Sequence, residues 1–267
     1  MHDDFLKILN GGTFSLDPGA VFGITPKVSW ERFFKPNQTG RIDLAVNIPL
    51  IKAYGNLIAL DSGLNENMEE RGRRFFEVKV NPNLSGQVSD LNADRHIDYT
   101  ILSHLHFDHS GGLSGKKGNP FLNSRRIYQI SELKTAREHL ELTSGSYPRV
   151  RTARSDLIIK GSKRLKSWIR VIYTGGHSSG HQIVEFNIGN LKYIYPGDLM
   201  PSTFHVKPTH ITAIDTFPLD TFRWKKILIK KAIDQNIRLI FSHDREVKVA
   251  VLSGKYNDPE ITPVDVT

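Results

Sequence analysis

Short apolar runs, separated by turns rich in glycine, proline and asparagine, recur along the chain and predict more strand than helix. Apolar and polar residues alternate over 41–48, which predicts a half-buried strand that continues to residue 53. More uniformly apolar runs predict further, buried strands at 56–60, 97–103, 126–130, 167–173, 182–186, 191–195 and 238–241. Residues 20–24 are also predicted as strand, and the turn-rich residues 1–19 as irregular.

Helical features are confined to three segments of the sequence. Residues 66–76 pair glutamate with arginine, residues 131–142 begin with serine and glutamate, and residues 220–235 begin at Asp220, which we expect to cap the helix. An aromatic cluster at 30–34 fits either core packing or a pocket wall. We expect 238–241 to be the last strand.

Candidate metal ligands lie close together directly after one apolar run. They are His104, His106, Asp108 and His109. In an extended segment, side chains two apart point to the same side, so His104 and His106 can hold one metal together. Asp108 and His109 are adjacent and share a face only if the chain turns, for which the glycine pair at 111–112 gives conformational freedom. The pattern therefore predicts two metals side by side.

The same arrangement recurs downstream, where a histidine or aspartate stands in a turn directly after an apolar strand. These residues are His177, Asp198 and His243. Each of them alone would more often be structural, but loops gathered at one edge of a sheet sandwich would bring them to the first cluster. Asp61 stands in a similar position after 56–60, either as a turn residue or as an acceptor for a metal ligand.

Composition restricts the chemistry. The chain has no cysteine, so a metal must be held by histidine and carboxylate. The sequence has no apolar run of about eighteen residues and no signal-peptide pattern, so we expect a cytoplasmic protein without a membrane helix. The net charge of +8 favours anionic partners. Its basic clusters at 71–74, 149–154 and 160–170 are not interleaved with aromatic residues in an RNA-binding pattern, so we expect a solvated basic surface rather than nucleic-acid binding.

With these residues taken together, the sequence resembles the metallo-β-lactamase superfamily. The resemblance is carried in the family's order by Leu60-Asp61-Ser62-Gly63, the 104–109 motif, Gly175-Gly176-His177-Ser178-Ser179-Gly180-His181, Gly197-Asp198 and Phe241-Ser242-His243. Residues 21–30 resemble the branch that holds quorum-quenching lactonases and methyl-parathion-hydrolase-like enzymes. The resemblance implies an α+β fold, an αββα sandwich of two mixed β-sheets flanked by helices, in a single domain over residues 1–267.

The resemblance also implies a binuclear metal centre. Its ligands would be His104, His106 and His177 for the first metal, and Asp108, His109 and His243 for the second, with Asp198 as the bridge. Two divalent ions are expected, zinc first, with iron or manganese as alternatives. A hydroxide shared by the metals would be the nucleophile, and Asp108 would also relay a proton to the leaving alkoxide. His181 resembles a position outside the ligands, and His205, in the loop after Asp198, is a candidate substrate-binding residue.

Two departures from the family pattern bear on function. A glycine replaces the proline of the usual Thr-Pro-Gly-His, which loosens the loop before His177. Some acyl-homoserine lactonases carry a tyrosine that polarises the lactone carbonyl, and Pro201 stands at that position here.

The expected activity is metal-dependent opening of a lactone or carboxylic ester, such as an acyl-homoserine lactone. The alternatives are phosphotriester or phosphodiester hydrolysis, a glyoxalase II-like thioesterase, a nuclease and, from another class, a metal-binding regulatory or electron-transfer module. The expected partner is a small ester, lactone or phosphoester, and the oligomeric state is left open.

Overall fold

Two seven-stranded β-sheets lie face to face in the computed structural model of the chain, with helices on their outer faces. The structure describes residues 4–91, 96–114, 119–138, 141–143, 145–149 and 152–266. The first sheet is built from β1 (Phe5–Leu16), β2 (Ile42–Ala53), β3 (Asn56–Leu60), β4 (Lys79–Val80), β5 (Tyr99–Ile101), β6 (Arg125–Gln129) and β7 (Leu157–Ile159). Its spatial order is β4-β1-β2-β3-β5-β6-β7, antiparallel at the β1 end and parallel from β3 to β7.

The second sheet follows in the chain and is also mixed. Its strands are β8 (Lys163–Lys166), β9 (Ile169–Tyr173), β10 (Gln182–Ile188), β11 (Leu191–Tyr195), β12 (Arg238–Ile240), β13 (Val249–Lys255) and β14 (Asp258–Pro263). They lie in the reverse of chain order, and only β11 and β12 are parallel. The α-helices are α1 (Pro18–Phe22), α2 (Lys27–Trp30), α3 (Glu70–Phe75), α4 (Leu84–Ser89), α5 (Phe107–Ser110), α6 (Ile130–Glu138) and α7 (Pro218–Asp234). The αββα sandwich implied by the sequence is confirmed.

Strand β3 shows why its sequence is apolar throughout. Leu57 and Ala59 pack into a cluster on the outer face of the first sheet, whereas Ile58 and Leu60 point between the two sheets. Both faces are therefore removed from water, and full burial of each large aliphatic side chain contributes about 1.5–3 kcal/mol. Tyr195 of β11 packs into the same layer between the sheets.

The amino-terminal predictions were wrong. Residues 5–16 form the long strand β1, in which the glycines mark a register shift rather than a loop. Gly12 has a φ of +118°, and an added Cβ would lie 2.1 Å from the Lys79 carbonyl oxygen, so glycine permits the close approach of β4. Residues 20–24 are not a strand, because α1 begins at Pro18 and the Asp17 side chain accepts a hydrogen bond from the Gly19 N–H.

Smaller differences concern the ends of elements. The helix predicted at 66–76 begins only at Glu70, and Asp220 lies inside the first turn of α7, whose cap position is Phe217. Strands β13 and β14 follow the strand expected to be last. Residues 139–140 of the predicted helix at 131–142, and residues 150–151 of one basic cluster, lie outside the described residues. Trp30 is core, stacked on Phe22 with ring centroids 4.5 Å apart.

The loops that carry chemistry all leave the carboxyl ends of strands. Residue 61 follows β3, residues 104–109 follow β5, residue 177 follows β9, residue 198 follows β11 and residue 243 follows β12. Because each strand delivers its loop to the same edge of the sandwich, ligands distant in sequence meet there. Within the described part of the chain, no helix has the length and hydropathy needed to cross a membrane.

Candidate metal centre

Seven buried side chains meet at this edge in two groups, each suited to one metal ion. The first group is His104, His106 and His177, and the second is Asp108, His109, Asp198 and His243. Within each group the potential ligand atoms lie within 4.8 Å of one another. These are the seven residues singled out in the sequence, and Asp198, expected there as the bridge, falls in the second group.

Asp198 lies between the two groups. Its Oδ1 is 3.2 Å from both His109 Nε2 and His243 Nε2, and its Oδ2 is 3.5 Å from His177 Nε2. Each carboxylate oxygen thus faces a different group, which is the arrangement of a bridging ligand. Although burial opposes its charge, the neighbouring His109 and His243 hold the pKa of Asp198 well below its usual range, so it is a carboxylate.

The 104–109 motif turns earlier than expected. His106 is still extended, with φ −65° and ψ 158°, and the short helix α5 begins at the next residue. This helix, rather than the glycine pair, places Asp108 and His109 beside Asp198 and His243. The glycines serve close packing instead, because a Cβ on Gly111 would lie 2.5 Å from Asn65 N and one on Gly112 would lie 2.2 Å from Ser62 O.

Asp61 holds the first-sheet ligands in position. Its Oδ2 accepts hydrogen bonds from His109 Nδ1 at 2.7 Å, Ser103 Oγ at 2.8 Å and Tyr195 Oη at 2.7 Å. Ser103 Oγ in turn lies 3.0 Å from His104 Nδ1. The Asp61 backbone has a φ of +63°, a left-handed conformation that non-glycine residues rarely adopt. Four hydrogen bonds hold the carboxylate at that turn, the three on Oδ2 and one from the Ser103 N–H to Oδ1 at 2.6 Å.

The second-sheet histidines are fixed by partners that the sequence did not point to. His177 Nδ1 donates to Asp215 Oδ1 at 2.8 Å, and His243 Nδ1 donates to the Ala45 carbonyl oxygen at 2.7 Å. Such bonds set the tautomer that turns the Nε2 lone pair toward a metal. Asp215 lies outside every helix and strand predicted from the sequence, and a backbone carbonyl has no sequence signal.

Glu132 of α6 is a second residue that the sequence did not single out for the site. It is fully buried and accepts hydrogen bonds from the Leu105 N–H, Tyr147 Oη, Ser178 Oγ and the Gly180 N–H, at 2.7–3.1 Å. Its carboxylate therefore joins the loop after β5 to the loop after β9. The only sequence feature at this position was a favourable first helical turn.

His181 supports Asp198 from behind rather than joining either group, as the resemblance to the family implied. Its Nε2 accepts the Asp198 N–H at 3.2 Å, and its Nδ1 bonds Thr174 Oγ1 at 2.8 Å. Gly197, with φ +51°, lets this ring approach, because a Cβ there would lie 2.6 Å from His181 Nε2.

The donor set fits metal ions. Ser103 Oγ donates to Asp61, so His104 Nδ1 must donate to Ser103, which leaves His104 Nε2 unprotonated. That nitrogen is buried and has no hydrogen-bond partner among the described residues. Burial, followed by the neighbouring histidines, holds the pKa of both His104 and His106 well below its usual range. Neutral imidazoles that point lone pairs at one another and at carboxylates are the ligands of zinc and similar divalent ions.

A narrow cavity of about 30 Å³ lies directly over the second group. Its walls are mostly apolar and come from β1, α1, β2, the segment after α2 and the loop after β11: Phe14, Leu16, Val21, Phe34, Leu44, Pro201, Ser202, His205, Thr212 and Ile214. The candidate substrate-binding residue His205 therefore lines the site. Both of its ring nitrogens are engaged, with Ser202 Oγ at 2.8 Å and the Val21 carbonyl oxygen at 2.9 Å.

Known proteins match part of the chain in sequence. The family model described as Metallo-beta-lactamase superfamily matches residues 92–243, more than half of the chain. An N-acyl homoserine lactonase from Bacillus cereus is 27% identical over 157 residues, 53% of this chain and 58% of the relative. The chain thus matches little more than half the length of such curated relatives.

Solved structures match over nearly the whole chain. A probable metal-dependent hydrolase from Staphylococcus aureus superposes with a TM-score of 0.90 at 26% identity, covering 98% of both chains. A dizinc quorum-quenching lactonase in complex with a product superposes with a TM-score of 0.79 at 21% identity, covering 98% of this chain and 95% of that one. The second likeness is one of fold alone.

Proposed function

The chain belongs to the metallo-β-lactamase superfamily, and we propose that this hydrolase uses two divalent metal ions, zinc first, to open a lactone or other neutral carboxylic ester. The proposed ligands are the seven residues of the two groups, with Asp198 as the bridge. The N-acyl homoserine lactonases among its relatives support an acylated lactone as the substrate class.

The apolar cavity over the second group is the observation that carries the proposal. Phe14, Leu16, Val21 and Leu44 line it, and none of the described residues in its wall is a lysine or arginine. A phosphodiester brings a negative charge that finds no lysine or arginine in this wall, so the metal ions alone would have to compensate it. A neutral ester meets no such penalty, and the volume of about 30 Å³ admits its reacting end rather than its whole acyl chain. The basic residues that give the chain its net charge of +8 therefore lie outside the described wall of this cavity.

Hydrolysis joins a water oxygen to the ester carbon, breaks the bond to the leaving oxygen and returns one proton to that oxygen. When bound, the two ions would supply Lewis acidity and an activated water. Asp108 lines the cavity with its Oδ2 3.3 Å from His243 Nε2, so its carboxylate is placed to carry the proton to the leaving oxygen. Asp61, Asp215 and the Ala45 carbonyl orient the ligand rings, and the apolar wall excludes bulk water.

A neutral phosphotriester is the second candidate. It carries no net charge, so a wall without lysine or arginine admits it more readily than a phosphodiester or a nucleic acid. The family branch that residues 21–30 resemble includes enzymes that hydrolyse such compounds.

The test is metal analysis paired with a substrate panel on wild type, His106→Ala and the control His96→Ala, which replaces an exposed histidine. We expect wild type to open aliphatic or acyl-homoserine lactones faster than paraoxon, and bis-nitrophenyl phosphate slowest. His106→Ala should lose metal and at least about a hundredfold in kcat/KM, because a ligand is removed. A wild type that opens no lactone, or a His106→Ala variant that keeps both metal and activity, would contradict the proposal.

A further inference from the structure

A short chain of hydrogen bonds crosses the cavity wall beside the second group. Ser202 Oγ lies 2.8 Å from His205 Nδ1, and His205 Nε2 lies 2.9 Å from the Val21 carbonyl oxygen. Both side chains are only 2% exposed, and both line the same cavity as Asp108, Asp198 and His243. The chain therefore joins helix α1 to the loop after the bridging aspartate.

The direction of each hydrogen bond is fixed by its end. A carbonyl oxygen only accepts, so His205 Nε2 carries a proton and donates it to Val21. Burial, followed by the charge of Lys225, lowers the pKa of His205 to about 4, so the ring is neutral and its Nδ1 has no proton. His205 Nδ1 must then accept, and the proton between the two side chains belongs to Ser202.

The Ser202 hydroxyl therefore donates its only proton to His205, and its oxygen can act toward other groups only as a hydrogen-bond acceptor. Among the residues that the structure describes, no N–H or O–H group donates to Ser202 Oγ. Ser202 is thus unable to polarise a substrate carbonyl, the role that a tyrosine at the Pro201 position would have had. It is suited to the opposite task, receiving a proton donor.

We propose that Ser202 Oγ is a fixed hydrogen-bond acceptor for a substrate N–H group located next to the ester group that is hydrolysed. His205 is the positioning residue, because its tautomer holds the Ser202 hydroxyl in the accepting state. The inference rests on the proposed ester hydrolysis and assigns the residue that would recognise the acylamino group of such a substrate.

The kinetic test uses the metal-loaded protein and a matched pair, an N-acyl homoserine lactone and its N-methyl analogue. We expect wild type to prefer the N–H compound by about tenfold in kcat/KM, since one buried hydrogen bond is at stake. Ser202→Ala should bring that ratio to within about twofold, and His205→Phe should reduce it by freeing the hydroxyl proton. Ser253→Ala, an exposed serine on β13, should keep the wild-type ratio. An N-methyl compound turned over as well as its parent by wild type, or a ratio unchanged in Ser202→Ala, would overturn the proposal.

Two further measurements do not depend on turnover. In ¹⁵N-histidine spectra at neutral pH, His205, assigned by its loss in His205→Phe, should show protonated Nε2 and bare Nδ1, with Nδ1 shifted in Ser202→Ala. A protonated Nδ1 would overturn the argument. Calorimetry can use an unreactive N-cyclopentyl alkanamide and its N-methyl form. Wild type should bind the N–H form about tenfold more tightly, and Ser202→Ala should bind the two forms equally. If no lactone is hydrolysed but this preference holds, the proposed function fails while Ser202 keeps its assignment; equal binding of both forms would overturn that assignment.

Discussion

At the scale of single residues, the fold disfavours the charge of the buried Lys225. It lies on α7 with no exposed surface, and its Nζ donates to the His210 carbonyl oxygen. Burial lowers its pKa to about 7, although the nearby Asp215 opposes that shift. In the unfolded chain a lysine titrates near ~10.4. Lys225 therefore links the stability of the protein to pH near the residue that orients His177.

We predict that replacing Lys225 with methionine flattens the rise of stability with pH. Between about pH 7 and pH 10 the unfolded lysine holds a proton that the folded one has lost, so the free energy of unfolding rises with pH in wild type, by at most about 1.4 kcal/mol per pH unit from this group. Lys225→Met should lack this contribution and be the more stable protein below pH 7. Denaturant titrations from pH 6 to pH 10 measure it, with the exposed Lys230→Met as control. Parallel curves for wild type and Lys225→Met would refute the shift.

At the scale of elements, two glycine turns at the ends of β11 have similar backbones and different surroundings. Gly189 precedes the strand with φ +56° and open space where an alanine methyl would lie, whereas Gly197 follows it with φ +51° against His181 and Ser103. An alanine costs about 1 kcal/mol of backbone strain at either site. Only at Gly197 does it also collide with the ring that receives the Asp198 N–H.

Gly197→Ala should therefore lose metal and activity, while Gly189→Ala should lose only stability. We expect at least about tenfold weaker metal binding in Gly197→Ala, because Asp198 is displaced. Metal titration of both variants, with thermal unfolding alongside, separates strain from displacement. Equal metal affinity in the two variants would show that His181 yields without moving Asp198.

Helix α6 contributes to the site through one carboxylate. All four contacts of Glu132 are donors, two on each oxygen, so an amide at this position would point its own N–H groups at other donors. Glu132→Gln should lower the free energy of unfolding by about 2–4 kcal/mol, because buried donors lose their partner. Urea titration measures the change, with Glu138→Gln on the exposed face of the same helix as control. A loss no larger than that of Glu138→Gln would mean that the two ligand loops are held by other contacts.

At the scale of the whole molecule, each candidate metal group combines side chains from both sheets. The loop after β5 belongs to the first sheet, and the loops after β9, β11 and β12 belong to the second. An ion bound by both sheets stabilises the folded state alone. We also expect residues 1–267 to unfold as one domain.

Removal of metal should therefore lower Tm without dividing the transition. Metal at a hundred times its Kd adds about 2.7 kcal/mol, which corresponds to roughly 5–10 °C for a chain of this size. Calorimetry before and after chelation measures the shift, and zinc added back should restore it. An unchanged Tm would contradict metal binding across the sheets, and two separated transitions would contradict the single domain.

The sequence by itself determined which side chains form the two candidate metal groups and where they stand along the chain. His104, His106, Asp108 and His109 form a local motif, and His177, Asp198 and His243 each follow an apolar strand, so spacing and strand ends were sufficient. Only the tertiary structure decided what orients them. Asp215, Glu132 and the Ala45 carbonyl act across long separations in sequence.

Tertiary contacts also explain why β1 and α1 were predicted wrongly while other strands were predicted correctly. Strand pairing with β2 and close approach of β4 override the glycines of β1, and a single capping aspartate decides α1. Such contacts also explain Ser202, whose hydroxyl accepts rather than donates only because Val21, far away in the chain, fixes the His205 tautomer. Ligand type is a property of a residue and its near neighbours, whereas orientation and protonation depend on partners that folding alone brings together.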